Sequence, residues 1–265
     1  MRFLARRLVA AVVGAVLLAA VAPPPAALAI HNGYDAPFRQ YRFMVSLRFA
    51  EAPDDHFCGG TLIAPDVVLT AAHCVADAGP TDLVAVVGVD VPGWPRAQRV
   101  PVVDRRVPAE YDLTVDNRGD VAVVLLASPQ SAPTVRLGRG EPSTRDHAVT
   151  VGWGYTDAPP DHGTAPTSLR GAHLVVERDS ACGADVMWNP PSHGAGSICA
   201  SGNRAAVNYG DSGGPLLVGD GRGGVRQVGV VSLFSDKPGA RYASFTSVAV
   251  ESRWIAGAVA SMRRG

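Results

Sequence analysis

The sequence is organised around Asn208-Tyr209-Gly210-Asp211-Ser212-Gly213-Gly214-Pro215-Leu216. One serine lies between an aspartate and two glycines, immediately before an apolar run. Glycine permits tight and left-handed turns and lets a ligand approach the backbone closely. Because the run after Pro215 favours a strand, the pattern predicts that Ser212 lies on a turn at the mouth of a sheet. A hydroxyl in that place could act as a nucleophile, whereas an ordinary glycine-rich hairpin is the alternative.

The same letters fit Gly-x-Ser-x-Gly, the nucleophile elbow of α/β-hydrolases. Enzymes of that class order their catalytic groups as serine, then acid, then histidine. No histidine follows Ser212 in this chain. The pattern therefore excludes the elbow and requires a base from the upstream part of the sequence.

His73 is the candidate base. It follows an apolar run and a small-residue turn, and Cys74 comes directly after it. A general base must be held in one place, which a disulfide beside it achieves. The other six histidines lie in polar or Gly/Pro-rich surroundings, and we expect them at the surface.

Asp120 is the candidate acid, because it opens the apolar run Val121–Leu126 and an aspartate is costly to bury there without a partner. Asp112 and Asp116 are alternatives, but each lies in a polar stretch.

The N-terminus predicts a signal peptide over residues 1–29. Three arginines precede an apolar run, and Ala27-Leu28-Ala29 offers a cleavage site. The run is short for a transmembrane helix, although a retained anchor is the alternative. We expect secretion into the extracellular space, with no membrane attachment after cleavage. The formal net charge of zero and the lack of a basic run beyond the N-terminus argue against a nucleic-acid partner.

Four cysteines in an exported chain indicate two disulfides. Of the three possible connectivities we favour Cys58 with Cys74 and Cys182 with Cys199, since each pair flanks a loop-like stretch. Zinc binding is the alternative, but Cys-x-x-Cys and Cys-x-x-His spacings are absent from the sequence.

Short β runs separated by Gly, Pro and Asp predict an all-β barrel or sandwich. These runs are Phe43–Phe49, Thr61–Ile63, Val67–Thr70, Leu83–Val89, Val100–Val103, Val121–Leu126, Ala148–Val151, Ala172–Val176, Pro215–Val218, Val225–Leu233 and Ala243–Thr246. Apolar residues at helical spacing predict a terminal helix over Val250–Met262. A loop rich in Pro, Asp and Gly spans Asp157–Thr167.

With these residues in place, the chain resembles the chymotrypsin/trypsin family of secreted serine proteases. Four segments carry the resemblance, in family order: Cys58–Cys74, Gly119–Leu126, Gly152–Thr156 and Gly210–Leu217. It implies two six-stranded antiparallel β-barrels in residues 30–265, joined at roughly 130–147, with the active site between them.

The resemblance also implies roles for individual residues. Ser212 would be the nucleophile, His73 the general base and then acid, and Asp120 the group that orients the imidazole. The backbone N–H groups of Gly210 and Ser212 would form the oxyanion hole.

Activation in the family uses a new N-terminal ammonium, which would here be that of Ile30 paired with Asp211. Because Ile30 directly follows the predicted signal cleavage, we hypothesise that signal peptidase itself creates the active N-terminus. His31 stands where the family has a small apolar residue.

Ala206 corresponds to the floor of the family's primary pocket, where trypsin-like members keep an aspartate. The segment Ser232-Leu233-Phe234 resembles the strand that binds the substrate backbone. Phe234 replaces a frequent glycine, and Asn208 replaces a cysteine that braces the pocket. These residues predict a preference for small or medium apolar side chains before the scissile bond.

The expected partners are protein and peptide substrates and proteinaceous inhibitors, and the expected state is a monomer. The stretch after Cys74 lacks the acidic pair of the family's calcium loop, so we expect neither a metal nor a cofactor. The competing hypothesis is a secreted protease-like binding protein without activity.

Overall fold

The computed structural model describes residues 30–90, 97–112, 119–156, 166, 168–182, 196–203, 205–235 and 241–264. The predicted signal peptide and most of the predicted Asp157–Thr167 loop lie outside these residues. The elements are β1 (Tyr34–Asp35), β2 (Met44–Phe49), β3 (Cys58–Ala64), β4 (Val67–Thr70), β5 (Leu83–Val87), β6 (Arg99–Arg106), β7 (Ala122–Leu126), β8 (Arg136–Leu137), β9 (His147–Gly152), β10 (Arg170–Val176), α1 (Asp179–Cys182), β11 (Ser197–Gly202), β12 (Pro215–Gly219), β13 (Val225–Phe234), β14 (Tyr242–Ser247) and α2 (Val248–Met262).

The strands close into two six-stranded antiparallel barrels, as the resemblance implies. The first barrel has the order β2-β3-β4-β7-β6-β5, and β5 returns to β2. The second has the order β9-β10-β11-β14-β13-β12, and β12 returns to β9. Strand β1 extends the second barrel beside β10, and β8 pairs in parallel with β13. Closure leaves the barrel strands without open edges.

Each barrel encloses its own apolar core. In the first, β7 is buried almost throughout, because its outer side is covered by α2. In the second, Ile30 is fully buried together with residues such as Val231 and Phe245. Burying one such side chain contributes about 1.5–3 kcal/mol, so the barrel walls are rigid supports for the loops between them.

The helix α2 begins two residues earlier than its apolar spacing predicts. Ser247 accepts a hydrogen bond from the N–H of Val250 and caps the first turn. Ile255, Ala258 and Met262 are buried along one face. The face therefore fits the helical period of the sequence, and the cap sets the start.

Three strands were missed by the sequence pattern. Strands β1 and β8 have two residues each, too few for a period to show. Strand β11 reads Ser-Ile-Cys-Ala-Ser-Gly, in which small residues replace the β-branched and aromatic residues typical of strands. All three belong to the sheet of the second barrel, in which β11 is a barrel strand and β1 and β8 are added at its side.

Candidate active site

Ser212 lies on the turn before β12 and is held between the two barrels. Its carbonyl accepts a 2.7 Å hydrogen bond from the N–H of Gly59 in β3, and the next N–H, of Gly213, donates to Val231 in β13 at 2.9 Å. Gly213 has φ +79°, and a Cβ there would collide with Thr70 and with the carbonyl of Gly59. Only glycine fits this close approach, which fixes the position of the neighbouring serine.

His73 lies in the short 3-10 turn Ala72–Cys74, immediately after β4. The Cys58–Cys74 disulfide, with a sulfur–sulfur distance of 1.99 Å, ties this turn to β3. The imidazole is about one-quarter exposed. The ring is therefore anchored by its own turn while one side still faces the solvent.

Asp120 is fully buried, and its carboxylate receives three hydrogen bonds. His73 contributes its Nδ1, at 2.9 Å from Oδ2, and its backbone N–H, at 2.9 Å from Oδ1. Ser232, from the second barrel, donates its hydroxyl to Oδ2. Burial alone would raise the pKa of Asp120, but the attraction of His73 and these bonds more than offset it, so the pKa lies below its ordinary value. The carboxylate is therefore charged and aimed at the imidazole.

His73 and Ser212 line the same cavity, which has a volume of about 520 Å³. Its wall also includes Phe49, His56, Phe57, Cys58, Cys74, Tyr155, Tyr209, Gly210, Ser232, Leu233 and Phe234. The structure thus brings the candidate base and the candidate nucleophile to one place, with Asp120 behind the base. Of the weaker acid candidates, Asp112 is exposed and Asp116 lies outside the described residues.

Two backbone donors of this cavity are free. Within the described residues, the N–H groups of Gly210 and Ser212 donate no hydrogen bond to the protein. Gly210 has φ +92°, a left-handed conformation that suits glycine. Both N–H groups are thus available to an oxygen atom bound beside the serine hydroxyl.

His56 holds the main chain of Gly210, and the expectation of a surface position was wrong for this residue. Its Nε2 lies 2.8 Å from the Gly210 carbonyl, its Nδ1 lies 2.8 Å from Ser46 Oγ, and its ring packs edge-on against Trp153. Burial, assisted by the nearby positive charge of Arg48, lowers the pKa of His56 to about 4. The neutral ring therefore donates from Nε2 to the carbonyl and accepts at Nδ1 from the serine.

Asp211 is buried and faces two backbone N–H groups, those of Gly154 and Asn208, each at 2.8 Å. Within the described part of the chain no cation pairs with it. Burial raises the pKa of Asp211 to about 7, although the two hydrogen bonds act in the opposite direction. A positive charge placed beside Asp211 would therefore stabilise its ionised carboxylate.

Ile30 is inserted in the second barrel, and the next residue forms an antiparallel bridge with Ala206, whose N–H donates to the His31 carbonyl at 3.1 Å. Arg170 binds the Gly33 carbonyl at 2.7 Å. The segment that begins at Ile30 is thus seated beside the segment that leads to Asp211.

The residues predicted to bind substrate fall into two groups. Ser232, Leu233 and Phe234 line the cavity, as expected of a substrate-binding strand, and Ser232 also supports Asp120. Ala206 does not line this cavity. Tyr209, which sequence reasoning missed, packs edge-on against Phe234 with 5.0 Å between ring centroids.

The structure forms both disulfides in the favoured pairing. Cys182 and Cys199 join α1 to β11, with a sulfur–sulfur distance of 2.02 Å. Cys58, His73 and Cys74 would be close enough to share a metal ion. Because the two sulfurs are bonded to each other, however, neither is a thiolate ligand.

The two barrels, with a histidine-bound acid and a cleft serine between them, are the architecture of a chymotrypsin-like serine endopeptidase. The comparisons give the family. The sequence model named Trypsin matches residues 30–255, so the chain belongs to the trypsin family, and it is a serine-type endopeptidase. Protein substrates follow from that membership.

Two relatives and one solved structure illustrate the similarity. Trypsin from Saccharopolyspora erythraea is 32% identical over 230 residues, covering 84% of this chain and 97% of the relative. Glucanase inhibitor protein 2 from Phytophthora sojae is 30% identical over 197 residues, covering 73% of this chain and 65% of the relative. Neuropsin, a serine protease expressed in the limbic system of mouse brain, shares the fold with a TM-score of 0.73 at 24% identity, covering 86% and 99% of the two chains.

Among the described residues, no helix is both long and apolar enough to cross a bilayer.

Proposed function

We propose that this chain is a secreted endopeptidase that cleaves peptide bonds through an acyl-enzyme on Ser212, with His73 and Asp120 completing a triad. The single observation that carries the proposal is the position of His73. One ring nitrogen binds the buried Asp120 carboxylate at 2.9 Å, and the same ring lines the cavity of Ser212. A base with that tautomer fixed leaves Nε2 to take the serine proton.

The proposed reaction has two halves. Ser212 Oγ attacks the scissile carbonyl carbon and gives its proton to His73 Nε2. The tetrahedral oxyanion accepts hydrogen bonds from the free N–H groups of Gly210 and Ser212, each worth about 3–4 kcal/mol in the transition state. The carbon–nitrogen bond then breaks as His73 returns the proton to the leaving amine. Water, deprotonated by His73, hydrolyses the ester, and the proton goes back to Ser212.

Asp120 supports both halves. Its charge stabilises the imidazolium formed when His73 takes a proton, and its two bonds to His73 hold the ring against rotation. Ser232 adds a donor to the same carboxylate. Asp120 thus stays ionised throughout and does not itself take the proton from His73.

Activation is proposed to require cleavage before Ile30. Cleavage converts the Ile30 peptide nitrogen into an ammonium, and Asp211 is a buried carboxyl with no cationic partner in the described chain. Pairing the two would keep Asp211 charged and would order the turn that carries Gly210 and Ser212. Signal peptidase would perform this step if residues 1–29 are the signal peptide.

For the acyl side we propose a preference for small or medium apolar residues. Ala206 offers no charge for a substrate arginine or lysine, and the rings of Tyr209 and Phe234 meet at the cavity wall. Profiling with a peptide library tests this proposal. Strong cleavage after Arg or Lys would refute it.

Secretion is supported by the predicted signal peptide and by two disulfides, which persist in oxidising compartments. We propose that the enzyme acts as a monomer outside the cell and is open to proteinaceous inhibitors that enter the cleft as substrates do.

Covalent labelling tests the catalytic proposal. The protein secreted after expression of the full chain is treated with a fluorescent fluorophosphonate, with Ser212→Ala as the control. Labelling of the parent but not of the variant supports the triad. A parent that starts at Ile30 and is not labelled would favour the binding-protein hypothesis. N-terminal sequencing in the same experiment tests activation, since an active protein with a different first residue contradicts the Ile30 proposal.

A further inference from the structure

The acyl side of the cavity offers little room for discrimination. Phe234 is only 4% exposed and belongs to the core of the second barrel. Tyr209 packs against it edge-on, with the two ring planes at 85°. Because Phe234 is in the core and Tyr209 packs against it, a deep primary pocket would require Phe234 to leave the core and Tyr209 to move aside. Ala206, the expected floor, is not part of the cavity wall.

Another part of the wall of the same cavity is formed by two phenylalanine rings. Phe49 stacks on Phe57 with 4.4 Å between ring centroids and an interplanar angle of 17°. Phe49 is 38% exposed, so part of its ring is accessible to a ligand. The Cys58–Cys74 disulfide continues this wall. An aromatic pair of this kind presents a flat surface to an apolar side chain.

A second cavity of about 600 Å³ adjoins the first and shares Phe49, His73 and Cys74 with it. Three of its lining residues are acidic: Glu51, Asp77 and Asp82. Among the residues that the structure describes, no lysine or arginine lines it. The Arg105 guanidinium donates a 2.5 Å hydrogen bond to the carbonyl of Ala78, one of the lining residues. Asp82 is partly engaged, since it caps the N–H of Gly79 at 2.8 Å, which leaves Glu51 and Asp77 as the principal carboxylates for a ligand.

The proposed mechanism places the second cavity on the leaving-group side of the scissile bond. In the proposed mechanism His73 gives its proton to the departing amine, so the departing segment must pass this ring. The cavity is lined by His73, by the residues that follow it and by the turn after β2, all in the first barrel. Strand β13, which would pair with the acyl segment, contributes nothing to its lining.

We propose that this protease selects substrates mainly by the residues after the scissile bond. An apolar side chain directly after that bond would rest on Phe49 and the disulfide, and a lysine or arginine one or two residues further on would enter the cavity of Glu51 and Asp77. The inference rests on the proposed endopeptidase function and deepens it. Opposite charges in the partly enclosed cavity favour the basic residue, and an acidic residue there is repelled.

Internally quenched octapeptides test the inference on the secreted protein. All carry alanine before the scissile bond. One series varies the next residue between Phe and Gly, and another varies the residue after that among Arg, Gln and Glu. We expect kcat/KM to be about tenfold higher for Phe than for Gly, and about tenfold higher for Arg than for Glu. The Arg preference should shrink at high salt, because screening weakens it.

Matched variants identify the residues responsible. Glu51→Gln with Asp77→Asn should reduce the Arg/Glu ratio to near one, and Phe49→Ala should reduce the Phe/Gly ratio. Glu141→Gln, an exposed carboxylate on the second-barrel side, should leave both ratios at the parent values. Fluorophosphonate labelling of every variant shows that it is folded and active, so a ratio is compared only between labelled proteins.

The two proposals fail in different ways. A labelled parent that cleaves the Arg and Glu peptides equally, or whose ratio survives in the double variant, overturns the leaving-group preference and leaves the catalytic proposal intact. A correctly processed parent that cannot be labelled overturns both. A ratio that shifts equally in Glu141→Gln also contradicts the assignment, because the effect would then be one of overall charge.

Discussion

The buried carboxyl of Asp211 should make stability depend on pH in opposite directions before and after cleavage at Ile30. The perturbation is Asp211→Asn in a Ser212→Ala background, which prevents self-digestion. Each variant is prepared in two forms, one beginning at Ile30 and one retaining Ala29 before it. The retained residue keeps the nitrogen of Ile30 uncharged.

The magnitude follows from the environment of Asp211. Burial raises its pKa from 3.8 to about 7 in the chain without a free Ile30 ammonium, which corresponds to about 4 kcal/mol between the two protonation states. A group whose pKa is raised by folding stabilises the protein fully below the unfolded pKa and ceases to do so as pH rises through the folded pKa. The Ala29-extended parent should therefore lose up to about 4 kcal/mol between pH 4 and pH 8, relative to its Asn variant.

Urea unfolding at several pH values measures this difference. The Asn side chain can accept only one of the hydrogen bonds from Gly154 and Asn208, but that cost is the same at every pH and cancels in the slope. In the form that begins at Ile30, the ammonium stabilises the carboxylate, so the loss at pH 8 should disappear or reverse. Parallel pH profiles of parent and Asn variant in the extended form would refute the desolvation argument. Identical profiles of the two forms would show that the Ile30 ammonium does not reach Asp211.

Four further outcomes are expected. Asp120→Asn should lower kcat by about four orders of magnitude in a peptidase assay, as the corresponding change does in other triad enzymes; a loss below tenfold would contradict the role of the acid. Ser232→Ala should cost about 1.5–3 kcal/mol of unfolding free energy and, because it removes a bond that lowers the pKa of Asp120, should move acid unfolding to higher pH; an unchanged acid midpoint would count against it. Phe234→Gly should widen the acyl-side preference toward larger residues in library profiling, and an unchanged profile would show that this ring does not limit the cavity. Replacing Cys182 and Cys199 by serine should lower the unfolding free energy in denaturant titrations by about 3 kcal/mol; a loss below about 1 kcal/mol would contradict it.

The strand pattern predicted an all-β barrel or sandwich, and the resemblance to the family specified two barrels. The favoured cysteine pairing and the placement of His73 and Ser212 at one cleft were also predicted. Most of the strand segments alternate or run apolar over four or more residues, and the cleft residues lie in short patterns with fixed neighbours, such as Ala-Ala-His-Cys after β4 and Gly-Asp-Ser-Gly-Gly before β12. Local patterns of this kind are readable because each depends on a single turn or strand.

The roles of His56 and Tyr209 were not readable in that way. The partner of His56 is a carbonyl 154 positions away, and the partner of Tyr209 is a ring on β13. Neither residue belongs to a periodic segment, so only the three-dimensional closure of the barrels brings the partners together. The Pro-Asp-Asp sequence before His56 is polar, which suggested that His56 is exposed to solvent. Nothing in that sequence indicates that the buried Arg48 donates a 2.7 Å hydrogen bond to the Pro53 carbonyl of this segment.

The contacts across the cleft are reciprocal. Asp120 of the first barrel receives two hydrogen bonds from the second barrel: Ser232 donates to its carboxylate, and the Thr246 hydroxyl donates to its main-chain carbonyl at 2.9 Å. In return, the N–H of Gly59 in the first barrel donates to the carbonyl of Ser212 in the second. A shift of one barrel relative to the other would break all of these hydrogen bonds at once. Activity therefore depends on the relative position of the two barrels. Because these contacts can break while each barrel stays folded, inactivation on heating should precede the loss of β-structure.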